Sequence, residues 1–369
     1  MIDFQSALSG ITGMEFPVGV DPSGNLVKAD LTQINHILIS GTTGSGKSVF
    51  VDSMLLALAA HNSPEQLRLV LCDTKWSEFS QYKHMGHLLF PVCIAEKEIC
   101  TILCGVLYEG MRRLQVFSEK RARNISSFND NEWQNFRKEL PQIVIVIDDL
   151  SEVLRLGDDV SKTIKHLLSI GRSAGIHIVA VTQTPAVKWT KDVSNLFYAK
   201  ITFLAEQSDI QFITGKKQAE PLAQIGDAWY CLPAQMYRVH AIEASYEDTR
   251  NILNSTLCEG SFRNEITENI LRFIASPPAA SAPEDKEDEL LPTAVEVILK
   301  SGQASVSMLQ RQMKLGYSRA MRLMDQMEEL GYVGPFAGSR PREILITRTK
   351  WQEIQGNRNN KDNPKHLGL

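Results

Sequence analysis

Gly41, Thr42, Thr43, Gly44, Ser45, Gly46, Lys47 and Ser48 fit the pattern G-x-x-x-x-G-K-[ST] at every defined position. That spacing suits the grip on a chain of phosphates. Glycines let backbone N–H groups turn inward around an anion. A helix that opens at Lys47 adds the partial positive charge of its N-terminus. Lys47 is then placed to reach the β- and γ-phosphates, and Ser48 to give a hydroxyl to Mg²⁺. Thr42, Thr43, Gly44, Ser45, Gly46, Lys47, Ser48 and Val49 are the expected ATP-binding set. An apolar run precedes the loop and a helical stretch follows it, which is the context the motif needs.

Phosphate chemistry also needs an acid at the end of a buried strand. The run QIVIVID, 142–148, ends in Asp148 and is followed by Asp149. Asp148 is the expected Mg²⁺ ligand beside Ser48, and Asp149 the residue that polarises the attacking water. Many such sites carry Glu at the second position. Asp is shorter by one C–C bond, about 1.5 Å, so slow hydrolysis or a tighter closure of the loop is expected. Gln183 ends the next apolar strand and is placed to sense the γ-phosphate or the lytic water. Arg172, in GRSAGIH, is the candidate cationic finger onto a neighbouring subunit's nucleotide; a plain surface arginine is the alternative.

These groups need a scaffold of alternating strands and helices. NHILIS (35–40), LRLVLCD (67–73), QIVIVID (142–148), GIHIVAVT (175–182) and AKITFL (199–204) read as buried strands. The stretches 47–60 and 96–121 read as helices, the second with a basic end that includes Arg112 and Arg113. Uninterrupted apolar strands separated by helices predict an α/β fold with a parallel sheet covered on both faces.

The chain has 369 residues, enough for a large domain and a small one. Hydrophobic residues make up 43% and charged residues 22%, which excludes collagen-like, coiled-coil and wholly disordered classes. The six cysteines contain no Cys-x-x-Cys pair, so neither a zinc ribbon nor a thioredoxin motif is expected. No apolar run approaches the length of a membrane span, and no secretory signal is visible, so the cytoplasm is the expected compartment and no membrane partner is expected.

The segment 275–292, ASPPAASAPEDKEDELLP, reads as an acidic Pro/Ala linker. Beyond it, 293–350 reads as three helices and a short hairpin, the pattern of a winged helix-turn-helix, and 351–369 as a flexible tail. The net charge of −4 hides an asymmetry. From 294 onward there are 12 Lys and Arg against 7 Asp and Glu, and the remainder of the chain carries 27 against 36. On the third tail helix Ser318, Arg322 and Asp325 share one face. Ala320, Leu323, Met327 and Leu330 form the packing face. Arg319, Arg340 and Arg342 are placed to reach phosphates beside a DNA groove; a protein-binding winged helix with a solvated basic face is the alternative.

The chain resembles the FtsK/SpoIIIE family of DNA translocases. The matching stretches are HILISGTTGSGKSV, LVLCDTKWSEFSQYKHMGHLLFPV, LPQIVIVIDDLSEVL, SIGRSAGIHIVAVTQTP and QIGDAWY with RVHAI, and in the tail SVSMLQRQMKLGYSRAMRLMDQMEELGYVGPFAGSRPREILI, which is similar to the family's γ module. The resemblance implies a RecA-like motor over 31–274, ATP and Mg²⁺ as cofactors, a homo-hexameric ring around double-stranded DNA, and a tail that reads short DNA sequences. It implies base contacts from Ser318, Arg322 and Asp325, where the family commonly has Asn, Arg and Glu. Arg is the usual reader of guanine. A site-specific recombinase is a candidate partner on the same ground.

The departures are specific. Residues 1–30 stand where the family has a whole α domain, and the membrane segments of the family are not matched, so a short soluble form is expected. The family's Asp-Pro-Lys after the second strand is Asp73, Thr74 and Lys75 here. Two family arginines correspond to Lys200 and Gln211, which leaves Arg172 as the finger candidate. Three functions follow for test: a DNA-stimulated translocating ATPase, with chromosome segregation as its implied role; an ATP-binding adaptor on DNA that hydrolyses weakly; and a motor that transfers or partitions DNA of a mobile element.

Overall fold

A computed structural model describes residues 2–75, 78–130, 139–183, 185, 193–215, 220, 222–257, 264–275, 288–315, 317–334 and 341–361. The chain divides into two compact units, Met1–Pro278 and Ala279–Leu369.

The first unit is built on one nine-stranded sheet. Its strands are β1 (Glu15–Val20), β2 (Leu26–Asp30), β3 (Ile37–Ser40), β4 (Leu67–Asp73), β5 (Gln142–Asp148), β6 (Ile176–Thr182), β7 (Ala199–Thr202), β8 (Asp227–Cys231) and β9 (Met236–His240). The spatial order is β2-β1-β9-β8-β7-β3-β6-β5-β4. From β7 to β4 every pairing is parallel, and from β7 back to β2 every pairing is antiparallel. The parallel half is the one expected from the apolar runs. The antiparallel half is an extension, and residues 1–30, set apart in the expected domain plan, supply two of its strands.

The helices of this unit are α1 (Phe4–Ser9), α2 (Leu31–Ile34), α3 (Lys47–His61), α4 (Glu96–Glu119), α5 (Ile125–Asn129), α6 (Leu150–Leu154), α7 (Asp158–Ala174), α8 (Gln207–Thr214), α9 (Tyr246–Ser255) and α10 (Glu265–Ala275). α3 is apolar nearly all round, and Phe50, Val51, Met54 and Leu55 are each at most 2% exposed. Such a helix must be covered on most sides. It packs against β1 and α9. Arg113 of α4 is not part of a basic surface. It is fully buried, pairs with Glu109 at 2.9 Å, and donates to the carbonyls of Pro141 and Ala174, both at 2.9 Å.

The second unit contains α11 (Leu291–Ser301), α12 (Val306–Met313), α13 (Tyr317–Glu329) and α14 (Arg348–Lys361). Ser305 caps α12 by accepting from the Met308 N–H at 3.3 Å. Leu291, Val295, Ile298, Leu309, Leu323 and Met327 form its core. Leu330, expected on the packing face, is 41% exposed because α13 ends one residue earlier. Bridges Ala304↔Arg342 and Val333↔Ile344 mark the expected hairpin, and residues 335–340 lie outside the described residues. α14 replaces the first part of the expected flexible tail. Trp351 anchors it, 3% exposed and edge-on to Tyr332 at 5.6 Å between ring centres. Most of the expected linker, 276–287, also lies outside the described residues.

Candidate nucleotide site and recognition helix

Parallel strands deliver their C-terminal ends to one edge, where crevices for ligands form. Here Asp73 pairs in register with Asp148, and Ser40 with Thr182. The phosphate loop leaves β3 at that edge. Gly41 has φ 149°, and a Cβ there would stand 2.7 Å from Ser45 Oγ and 2.9 Å from Phe203 Cβ. Thr42 ties the loop to the segment after β7, its N–H and Oγ1 both donating to the Leu204 carbonyl at 2.8 and 3.0 Å. Gly46, at φ 109°, caps α3 with no side-chain bond to the helix.

Lys47 folds back on the loop and donates to the carbonyls of Gly41 and Thr42 at 2.8 and 2.6 Å. Burial lowers its pKa, while Asp148, Glu78 and Asp149 pull it back up. Ser45 Oγ is buried with no hydrogen-bond partner. An inward ammonium, an orphaned hydroxyl and an uncapped helix N-terminus fit a phosphate chain. Ser48 and Val49 lie exposed at the start of α3.

Burial pushes the Asp148 carboxyl up to about 6, with Glu78 next in effect and Lys75 opposing it. A desolvated carboxylate among other carboxylates is relieved by a divalent cation. Among the described residues no three His, Cys, Asp or Glu side chains form a metal cage. Mg²⁺ commonly binds through one or two protein ligands, water and phosphate oxygens. Asp148 and Ser48 are the residues that would hold it.

Asp149 sits in the left-handed region, φ 64° and ψ 71°, at the head of α6. Its Oδ2 is 2.7 Å from Lys75 Nζ. Gln183 reaches the loop, its Oε1 accepting from Thr43 Oγ1 at 3.1 Å. Arg172 is elsewhere. It lies in the last turn of α7, just before β6 begins, and donates to the Gln33 carbonyl at 3.0 Å. Seven strand residues separate the two ends of β6. At about 3.3 Å per residue, Arg172 is roughly 20 Å from the phosphate-loop edge.

Two residues of this edge were absent from the expected set. Asp73 is 1% exposed and accepts from the N–H groups of Lys75, Glu78 and Phe79 at 3.0, 2.9 and 3.3 Å. It shapes the loop that carries Lys75. The signal was present as the Asp-x-Lys after the second strand, but nothing in spacing shows that Lys75 meets a residue 74 positions downstream.

In the second unit, Ser318 lies on α13, and its side chain and all of Arg340 fall outside the described residues. Arg319 and Arg322 are both at least 43% exposed along their side chains, and both contact Asp288. Arg342 corrects an expectation. Its side chain is 4% exposed and bonds Asp325 at 2.9 Å, Glu328 at 2.6 Å and the Met324 carbonyl at 3.1 Å. A guanidinium packed beneath α13 in this way is a structural tie, not a surface contact for phosphate, and it occupies one oxygen of Asp325.

A sheet whose parallel half carries a glycine-rich phosphate loop after β3, an acid ending β5 and a polar amide just after β6 defines a P-loop ATPase. Solved structures share the fold. The cytoplasmic domain of the type VII secretion ATPase EccC of Thermomonospora curvata matches 69% of this chain and 32% of its own at 21% identity, with a TM-score of 0.61. The conjugation coupling protein TcpA, solved with ATPγS, matches 66% of this chain and 71% of its own at 22% identity, with a TM-score of 0.56.

The chain belongs to the FtsK/SpoIIIE family. The family model for FtsK/SpoIIIE matches residues 12–187, and that for the FtsK gamma domain matches 285–347. The DNA translocase FtsK of Clostridium acetobutylicum is 34% identical over 346 residues, 91% of this chain and 44% of that protein. The DNA translocase FtsK of Caldanaerobacter subterraneus is 34% identical over 96% of this chain and 50% of its own length. The DNA translocase SpoIIIE of Bacillus subtilis is 33% identical over 91% and 44%. The chain thus spans about half the length of these relatives. No helix among the described residues is long and apolar enough to cross a membrane.

Proposed function

We propose that this chain is the motor and DNA-reading part of an ATP-driven translocase of double-stranded DNA, working in the cytoplasm as a homo-oligomeric ring. The observation that carries this reading is the meeting of Lys47, Asp148, Asp149 and Gln183 at one sheet edge, on a chain that also bears a gamma unit. Lys47 and the loop N–H groups bind the phosphates, and Ser48 and Asp148 would hold Mg²⁺, which would supply charge neutralisation there. Asp149 takes a proton from the attacking water, and Gln183 orients the γ-phosphate from the loop side. In a ring, Arg172 faces away from its own nucleotide and serves the neighbour's. Arg319, Arg322 and Ser318 present the recognition helix to DNA, and a site-specific recombinase is the proposed second partner of that unit.

DNA-stimulated ATP hydrolysis tests this. Turnover is expected to rise on adding duplex DNA and to vanish in Lys47→Ala. Light scattering with ATP and DNA together is expected to show a hexamer. Wild-type turnover indifferent to DNA at every salt concentration would remove the motor reading. A second reading, an ATP-binding adaptor with slow hydrolysis, is favoured by one observation: the water-polarising Asp149 is short and already ion-paired. Such an adaptor would bind ATP and DNA yet fail to displace a third strand.

A further inference from the structure

Lys75 is the second ammonium of the nucleotide edge, and its position is built rather than incidental. Asp73, buried at the end of β4, bonds the backbone N–H of Lys75 and those of Glu78 and Phe79. That fixes where the Lys75 side chain starts. Its Nζ then reaches Asp149 Oδ2 at 2.7 Å, with 44% of the Lys75 side chain and 11% of the Asp149 side chain exposed. Asp73 pairs in register with Asp148, so the turn that carries Lys75 leaves β4 at the same edge of the sheet. Lys47 differs from Lys75, being buried and turned onto loop carbonyls.

A carboxylate gripped by an ammonium has an oxygen engaged and is not free to bond and orient water. The terminal phosphate of ATP brings more negative charge than a single carboxylate and offers charge-assisted bonds to lysine. We propose that Lys75 exchanges partners, holding Asp149 while the site lacks a γ-phosphate and moving to the γ-phosphate when ATP binds. The exchange rests on the ATPase reading above and deepens it. It frees Asp149 only when a hydrolysable nucleotide is in place. Water oxygen then bonds to the γ-phosphorus as the bond to the β–γ bridging oxygen breaks. The electron pair leaves on ADP, and the water proton passes to Asp149 and on to solvent. Lys75 is a catalytic residue in this account because it touches the transferred group.

Nucleotide affinity of the whole chain, read by displacement of a fluorescent nucleotide, tests the exchange. In Lys75→Ala and Lys75→Gln, ATPγS is expected to weaken about tenfold, one charge-assisted contact, while ADP changes less than about twofold. Lys75→Arg is expected to recover most of the ATPγS affinity. Asp149→Asn is expected to tighten ATPγS a few-fold in the presence of Lys75 and to have no such effect in the Lys75→Ala background. Equal weakening of ATPγS and ADP, no weakening of either, or the same Asp149→Asn gain without Lys75 would overturn the exchange while leaving the ATPase reading intact. A wild-type chain that binds neither nucleotide would overturn both.

Discussion

Arg319 sets its guanidinium on the carboxylate of Asp288 through two bonds, Nε to Oδ2 at 3.0 Å and Nη2 to Oδ1 at 2.8 Å. Asp288 is the last but one residue of an acidic run, Glu284 to Glu289, that holds five carboxylates and one lysine. Arg322, on the next turn of α13, adds a contact to the same carboxylate at 3.3 Å. Two cations proposed to face DNA thus share an internal anion, and duplex phosphates must compete with it. Asp288→Asn keeps a hydrogen-bond acceptor but drops the charge. It is expected to raise duplex affinity several-fold at low salt and to steepen the salt dependence by about one to two phosphate contacts. Fluorescence anisotropy across a salt series reads both, and an unchanged slope would mean these arginines do not meet DNA.

Arg342 makes the opposite kind of contact. Its buried guanidinium joins the wing to α13 through Asp325, Glu328 and the Met324 carbonyl. Arg342→Ala is expected to destabilise the second unit by about 2–3 kcal/mol, since the carbonyl loses its donor and the two carboxylates recover only partial hydration. Urea titration measures this. Duplex affinity of the folded protein is expected to keep its salt slope, whereas a phosphate-binding arginine would lower that slope by about one.

Asp52 provides a pH test away from the phosphates. Burial raises its carboxyl to about 6, against donation from Tyr82 Oη at 2.6 Å and Gln81 Nε2 at 3.1 Å. A folded pKa above the unfolded value of 3.8 means the proton is bound more tightly in the native state. Its stabilising effect is full below about 4 and is lost as pH rises through about 6. Asp52→Asn removes the titration. The variant is expected to match wild type near pH 4 and to exceed it at pH 7.5 by on the order of 2–3 kcal/mol. Melting curves at the two pH values decide it, and a variant less stable than wild type at pH 7.5 would contradict the assignment.

The parallel half of the sheet was legible because β3, β4, β5 and β6 are buried on both faces and therefore read as unbroken apolar runs. The antiparallel half was not. β2 and β9 are largely half-exposed, and β1 meets β9 across more than 200 residues of chain, which local pattern cannot show. The turn between β3 and α3 and the position of Asp148 at the end of β5 could be read from local pattern, since neighbours in sequence form them. Lys75 with Asp149 and Arg342 with Asp325 are pairs made by folding, and each needed the structure. Arg113 shows the same limit, as a cation in a basic stretch that turns out to be a fully buried partner of Glu109.

In the proposed function, nucleotide chemistry at Lys47 and Asp149 moves the chain along duplex DNA. Triplex displacement measures this most directly. With ATP and Mg²⁺, the wild-type chain is expected to strip a labelled third strand placed downstream on duplex DNA, and Lys47→Ala is expected to leave it bound. Wild-type protein that binds duplex DNA and hydrolyses ATP yet leaves the third strand in place would contradict the account.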